Sequence, residues 1–170
     1  MLNFMEAVPL SVFLVYIRYI DASIPGNWKL PFIVSGIAAL VLIFVWFLKK
    51  RGMNPLFLGI NLYLLSGAMA FIGHQWWLPR IYNDLEASGM LLWIIVVGIF
   101  TTLLSPGGFV GTPCSCKNRI RKYSVYLLMA ACVGFGLSWG FQGDKLLSEI
   151  IPFAGLFFIQ NRLKYRLNTL

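Results

Sequence analysis

The chain is poor in charged residues of either sign. Only 12% of its 170 residues are charged, which is about half the fraction of a typical soluble domain. Acidic residues number six against fourteen basic ones, and there are one histidine and three cysteines. This composition excludes a disordered tail, a disulfide scaffold, a coiled coil and an ordinary soluble enzyme.

Sequence motifs of catalysis are also missing. The chain has no nucleophile elbow, no HExxH zinc motif, no Walker A loop and no glycine-rich dinucleotide fingerprint. Enzymes and proton-coupled transporters that work inside a bilayer need ionisable groups that can meet there. No apolar run holds two carboxylates deep within it. We therefore expect no enzyme, no catalytic residue, no cofactor and no bound metal.

Long uncharged runs dominate what is present. They cover 30–48, 52–79, 87–116 and 123–143, and about 20 apolar residues suffice to cross a bilayer. Two more apolar stretches lie at the ends, interrupted by few charges. The sequence predicts one all-α domain, 1–170, a polytopic transmembrane helical bundle of six spans in three hairpins, with four or five spans as alternatives. The six spans are expected at about 3–20, 30–48, 55–78, 88–105, 123–141 and 146–162.

The first apolar stretch has helix signals at both ends. Asn3 is placed to cap the helix, with Glu6 in its first turn. Arg18 is placed in the last turn, where its side chain can reach the membrane surface. A signal peptide would carry its positive charge before the apolar run, whereas the first basic residue here is Arg18. We expect this helix to remain in the mature protein.

Charge alternates between successive connections. One side holds ten basic residues, namely Lys49, Lys50, Arg51, Lys117, Arg119, Arg121, Lys122, Arg162, Lys164 and Arg166. The other side mixes four basic residues with five acidic ones. By the positive-inside rule, the basic side is cytoplasmic. The sequence predicts a bacterial inner-membrane protein with both termini in the cytoplasm. We expect the lipid bilayer to be its partner and expect no binding to nucleic acid.

A few polar residues are candidates for a pathway or site. They are His74, Asn61, Arg18, Asp21 and Arg80. His74 is the only histidine and could relay a proton or could lie at the membrane surface. Arg18 and Asp21, with Arg80, could form an outer charged cluster or a solvated rim. Asn61 is expected to make an interhelical hydrogen bond or, less simply, to contact a substrate.

Small residues at four-residue spacing form ridges on several predicted spans. Cys132, Gly136 and Gly140 form one ridge, Ala130 with Gly134 a second, and Ser35 with Ala39 and Ser66 with Ala70 repeat the spacing. Such ridges let helix backbones approach closely, either within the molecule or across a homodimer. Cys114 and Cys116 could bind a soft metal or be two free thiols in a reducing compartment.

Two segments carry a resemblance to a known family. Pro9-Leu-Ser-Val-Phe-Leu-Val-Tyr16 and Gly67-Ala-Met-Ala-Phe-Ile-Gly-His74 resemble the bacterial intracellular septation protein A family. The resemblance covers about the first two-thirds of the chain. The lysine that usually follows the histidine segment has no clear counterpart, and Arg80 is the nearest basic residue. The resemblance implies a small inner-membrane protein that acts in envelope and septum maintenance without a catalytic activity.

Three functional hypotheses follow from these observations. The first is a non-enzymatic membrane protein that acts through lateral contacts with other membrane proteins or with further copies of itself. The second is a small channel or transporter whose path is lined by Asn61 and His74. The third is an immunity protein against a pore-forming toxin, which has the same size and topology as the first.

Overall fold

The computed structural model describes residues 5–20, 24–49, 52–112 and 117–168, and within these ranges the chain is helical and has no strand. A 3₁₀ turn, Pro25–Trp28, precedes α2 and a π-helical turn, Leu146–Ile150, precedes α7. The all-α prediction is confirmed for the described residues. The helices are α1 Val8–Tyr19, α2 Lys29–Leu48, α3 Pro55–Ile72, α4 Trp77–Leu85, α5 Ala87–Leu104, α6 Lys117–Gly140 and α7 Ile151–Asn168.

Four helices are long and apolar enough to cross a membrane. They are Gly26–Leu48, which includes α2, then α3, α5 and Asn118–Gly140 of α6. The predicted count of six spans is not confirmed. α1 has 12 residues and therefore reaches only about 18 Å, against ~30 Å of hydrocarbon. α7 carries Arg162, Lys164 and Arg166 in its second half, which shortens its apolar part.

The third predicted span, 55–78, ends earlier than expected because α3 stops at Ile72. The Gly73 N–H donates to the carbonyl of Met69, and the Gln75 N–H donates to that of Ala70, both at 2.8 Å. The first is an ordinary helical bond, and the second, which follows the left-handed His74, is the six-to-one bond of a Schellman-type helix end. A short amphipathic helix, α4, follows and overlaps the connection between the predicted spans 55–78 and 88–105.

A proline marks the start of α1. α1 begins at Val8, with Pro9 in its first turn and no acidic residue there. Proline lacks an N–H and fits most easily in the first turn of a helix, which is where Pro9 lies in α1. Met5 and Glu6 are also helical, ahead of a turn at Ala7, so the predicted place of Glu6 in a first helical turn stays a prediction. The predicted cap, Asn3, lies outside the described residues.

The chain divides into two compact units. The first unit comprises the described residues of Met1–Met53 and Ile60–Leu85, and the second those of Asn54–Gly59 and Glu86–Leu170. The first unit has Phe13, Phe32 and Tyr63 in its core, and the second has Leu91, Phe109 and Leu127. That the chain 1–170 is a single domain stays a prediction.

Proline also explains the π-helical turn. Pro152 has no N–H for the carbonyl of Ser148, four residues earlier, so the regular helical bond is missing at this point. A local π-turn is one way in which a helix accommodates such an interruption. Pro152 is buried, and a Cβ atom added at Gly134 of α6 would lie 3.5 Å from the Cβ atom of Pro152. A methyl group at Gly134 would therefore make ordinary van der Waals contact with the proline ring.

Candidate functional site

A carboxylic acid and an amide are buried together in the first unit. Glu6 is 3% exposed and Asn61 is fully buried. The Nδ2 group of Asn61 donates a hydrogen bond to the backbone carbonyl of Glu6 at 3.4 Å. Because Asn61 lies on α3, a candidate membrane span, this bond ties the start of the chain to that helix. The sequence singled out Asn61, but the burial of Glu6 was not foreseen.

Aromatic rings fill the rest of the first unit's core. The ring centroid of Phe32 lies 4.9 Å from that of Phe13, 5.6 Å from that of Tyr63 and 6.1 Å from that of Tyr82. Aromatic pairs at these separations contribute about 0.5–1.5 kcal/mol beyond their buried area. A Cβ atom at Gly67 would overlap the ring of Phe32, so the close approach of α2 and α3 requires glycine there.

One hydroxyl pair connects α3 to α4. Ser66 Oγ lies 2.6 Å from the hydroxyl oxygen of Tyr82 and donates to the carbonyl of Tyr63 at 2.8 Å. Either hydroxyl can be the donor in the pair. This bond fixes the amphipathic helix α4 against the span that precedes it.

The remaining polar candidates do not form a cluster. His74 is exposed at the end of α3 with φ of 54°, and its ring centroid lies 6.5 Å from that of Trp76. Arg18 is exposed in the last turn of α1, and Arg80 is exposed on α4. Within the described residues, no hydrogen bond or ion pair joins these three side chains. Asp21 lies outside the described residues.

Buried irregular backbone is the main feature of the second unit. In the segment 105–112, Phe109 and Val110 are fully buried. Gly108 and Gly111 have φ values of 57° and 75°, in the left-handed region that favours glycine. A buried peptide group needs a partner, and the Phe109 N–H donates to Ser124 Oγ at 2.9 Å. The segment 105–112 therefore ends α5 and also has a specific, buried conformation of its own.

Two amide side chains close the other edge of this segment. Asn54 Nδ2 donates to Gln160 Oε1 at 3.0 Å, and Gln160 Nε2 donates to Asn54 Oδ1 at 2.6 Å. Gln160 Nε2 also lies 3.5 Å from the carbonyl oxygen of Val110. Asn54 Oδ1 accepts from the Leu56 N–H at 3.2 Å and so caps α3. Sequence reasoning missed this pair, although Asn54 stands before Pro55 and Gln160 ends an apolar run.

The small-residue ridges face different surroundings. On α2, Ser35 and Ala39 are fully buried, and a Cβ atom at Gly36 would overlap Ala68 of α3. On α6, Gly134 packs against Pro152. The ridge of Cys132, Gly136 and Gly140 is different, because a Cβ atom added at Gly136 or Gly140 would have no described atom within 4 Å. Cys132 on the same ridge is an exposed free thiol.

Metal ligands are not grouped in the described part of the chain. No set of three or more His, Cys, Asp or Glu side chains is close enough there to hold an ion. Cys114 and Cys116 lie outside the described residues, so the proposed soft-metal pair is not tested.

Comparison with known proteins gives no relative. No family model matches the chain, and neither the curated proteins nor the solved structures include a match.

Proposed function

We propose that the protein is a non-enzymatic integral protein of the bacterial inner membrane that acts through lateral contacts, with other membrane proteins or with a second copy of itself. The observation that carries the proposal is the ridge of Cys132, Gly136 and Gly140. It lies on a helix that is long and apolar enough to span a membrane, and it faces open space in the described structure.

The ridge has the composition of a helix-association surface. Inside a bilayer, apolar side chains gain little by leaving lipid, so helices associate through close packing and hydrogen bonds. Small residues allow that packing. Larger apolar side chains beside the ridge, Met129 at 59% and Val133 at 63% exposed, could pack against a neighbouring helix on either side of the contact.

Cys132 offers a direct test of the contact. In a variant with Cys114→Ser and Cys116→Ser, Cys132 is the only thiol. A membrane-permeant bis-maleimide added to native membranes should give a crosslinked species, because a partner thiol or a second Cys132 would lie within reach. Gly136→Leu should abolish that species by preventing close approach. A cysteine at Leu103, which is 65% exposed on α5, is the matched control for random collision.

Two results would reject lateral contact at this ridge. One is recovery of monomer alone in native membranes. The other is equal crosslinking from Cys132 and from the control cysteine at Leu103.

The proposal includes a cytoplasmic location for both termini, supported by the ten basic residues on one side of the chain. In intact cells, Cys114 and Cys116 should resist a membrane-impermeant maleimide and react after permeabilisation. A cysteine introduced at Asn83, which is exposed on α4, in a background without native cysteines should react in intact cells. The reverse labelling pattern would show the opposite orientation.

A role in envelope and septum maintenance is proposed from the resemblance of Pro9–Tyr16 and Gly67–His74 to the septation protein A family. A functional fluorescent fusion should then concentrate at the division septum, and depletion should alter cell length or septum placement. Uniform fluorescence together with normal division after depletion would remove this part of the proposal and would leave the lateral-contact part standing.

A transporter is the second candidate, because the structure buries an ionisable group. Buried carboxylates in membrane proteins often mark ion or proton paths, and Glu6 is 3% exposed against Asn61. Purified protein in liposomes should then conduct protons or a common cation, and Glu6→Gln should stop the flux while Asp84→Asn, a change at an exposed carboxylate, should not. Absence of flux from the wild-type protein would reject this candidate.

A further inference from the structure

The second unit is electrically asymmetric along the pair formed by α6 and α7. Exposed basic side chains lie near the start of α6 and near the end of α7, and both helices are in the second unit. These residues are Arg119, Arg121, Lys122, Arg162 and Arg166. We call these five residues the basic rim.

A single contact establishes that the two halves of the basic rim are at the same level. α6 and α7 pack together and are joined by a short connection, so they run antiparallel. Gly134 of α6 faces Pro152 of α7. Arg119 on α6 and Leu167 on α7 are the same number of residues away from this contact, towards the basic end. The two residues therefore lie at the same level along the helix pair. The two halves of the rim therefore lie at the same end of the helix pair.

Carboxylates of the second unit lie at the opposite end of the same helix pair, and two of them accept hydrogen bonds there. Glu86 Oε2 accepts from the N–H of Gly143 at 3.4 Å, and Asp144 Oδ1 accepts from the N–H of Leu146 at 2.9 Å. Glu149 is on the π-helical turn. Within the described residues, no ion pair neutralises a basic-rim side chain.

The basic rim lies where a span meets the membrane surface. Asn118–Gly140 is apolar enough to cross a bilayer, so Arg119, Arg121 and Lys122 occupy its end, at the level of lipid headgroups. The Nζ of Lys122 is 6.0 Å from the ring centroid of Tyr126, one turn further along. Guanidinium groups, which form four of the five rim charges, bind phosphate with two parallel hydrogen bonds.

We propose that the basic rim is a binding site for the phosphate headgroups of anionic phospholipids in the leaflet at that end of α6. Each basic side chain near an anionic surface contributes on the order of 1 kcal/mol of attraction. The ligand chemistry is a phosphate anion, and the position of the rim at the end of a membrane span identifies the lipid as its source rather than a soluble phosphate. The site is independent of the small-residue ridge and of the proposed lateral contacts.

The test uses the full chain in detergent micelles, with dioleoylphosphatidylglycerol or dioleoylphosphatidylcholine added and retained lipids counted by native mass spectrometry. Wild-type protein should retain phosphatidylglycerol at least about tenfold more tightly than phosphatidylcholine, and the preference should decline between 50 and 500 mM salt, because such attraction is screened. The variant Arg119→Gln/Arg121→Gln/Lys122→Gln should lose most of the preference. The triple variant Lys29→Gln/Arg80→Gln/Lys145→Gln, which removes three charges elsewhere, should keep it.

The alternative outcomes are distinct. Equal retention of the two lipids by the wild type, or an unchanged preference in the basic-rim variant, would overturn the proposal. Displacement of phosphatidylglycerol by millimolar inorganic phosphate would show a soluble anion site and overturn the lipid assignment. If the basic-rim variant does not fold, salt dependence of the wild-type preference still decides, since a preference unaffected by salt contradicts a site made of exposed charges.

Discussion

The two units differ in how they bury polar groups. The first unit surrounds Phe32 with other rings, and its polar contacts include the bond from Asn61 to the Glu6 carbonyl and the bond between Tyr82 and Ser66. The second unit buries a stretch of irregular backbone and must supply its partners from Ser124 and Gln160. Apolar packing tolerates small losses gradually, whereas a buried peptide group that loses its partner costs about 1–3 kcal/mol at once. We therefore expect the second unit to be more sensitive to single polar substitutions.

The largest expected effect is on the aromatic core. Phe32→Ala should lower the free energy of unfolding by about 3–5 kcal/mol, because it leaves a cavity among several rings. Unfolding by heat, or by sodium dodecyl sulfate added to the protein in mild detergent, measures the change in the free energy of unfolding of the whole chain. Hydrogen exchange, measured by mass spectrometry, should become faster in peptides of α1 and α2. An equal increase in α5 and α6 would mean that the units do not differ in this way.

Gly108→Ala should have the next largest effect, about 2–4 kcal/mol. An alanine there would be in the left-handed region, and its Cβ would overlap Ser124 Oγ and lie 2.7 Å from Ile120 Cγ2. Gly136→Ala is the matched control, because its added methyl meets no described atom, and should change thermal stability in detergent little. Similar destabilisation by the two variants would contradict the described path of the segment 105–112.

Gln160→Leu should destabilise the second unit by about 1–3 kcal/mol, since the reciprocal bonds with Asn54 are lost and the Val110 carbonyl loses a donor. Hydrogen exchange should rise in the peptide that contains Phe109. A double-mutant cycle of Asn54→Ala and Gln160→Ala should give a coupling energy of about 1 kcal/mol. Additive single effects would show that the amide pair contributes nothing of its own.

Tyr82→Phe should cost about 1 kcal/mol, less than Gln160→Leu, because the ring stays and the hydroxyl bond to Ser66 is lost. The comparison should be made with Ser66→Ala and with the double variant in the same detergent unfolding assay. If Tyr82→Phe is the more damaging of the two polar changes, the proposed difference between the units is wrong.

His74→Gly should have the smallest effect and should keep or slightly raise stability. His74 has a φ of 54° at the end of α3, and glycine adopts this conformation at less cost. His74→Ala should be less stable than His74→Gly by about 1 kcal/mol. A large loss of stability in His74→Gly, measured by thermal unfolding, would show that the imidazole itself holds the structure.

Much of the secondary structure could be predicted because it depends on local composition. The uncharged runs locate α2, α3, α5 and α6, since a helix that must satisfy its own backbone in lipid needs only length and apolar side chains. Pro55 and Pro9 are at first-turn positions of their helices, as proline geometry requires. The end of α3 at Ile72 was not predicted, because Gly73 and His74 are compatible with both a continuing helix and a cap.

The candidate sites depend more on tertiary contacts. Asn61 could be singled out as a polar residue within an apolar run, but the burial of Glu6 could not, since a carboxylate near a chain end is usually solvated. The pairing of Asn54 with Gln160 joins residues 106 positions apart. Nothing in the local sequence around either amide specifies the other.

The sequence by itself determines that this chain is helical and apolar, and that its basic residues alternate with its apolar runs. Those properties arise from composition and from distances along the chain. Only the tertiary structure decides which small residues are covered, because Gly134 and Gly136 are indistinguishable by composition and differ solely in the direction they face on α6. Pro152 occupies the space beside Gly134, while Gly136 faces away from every described neighbour, and a helix rotates its faces by about 100° per residue.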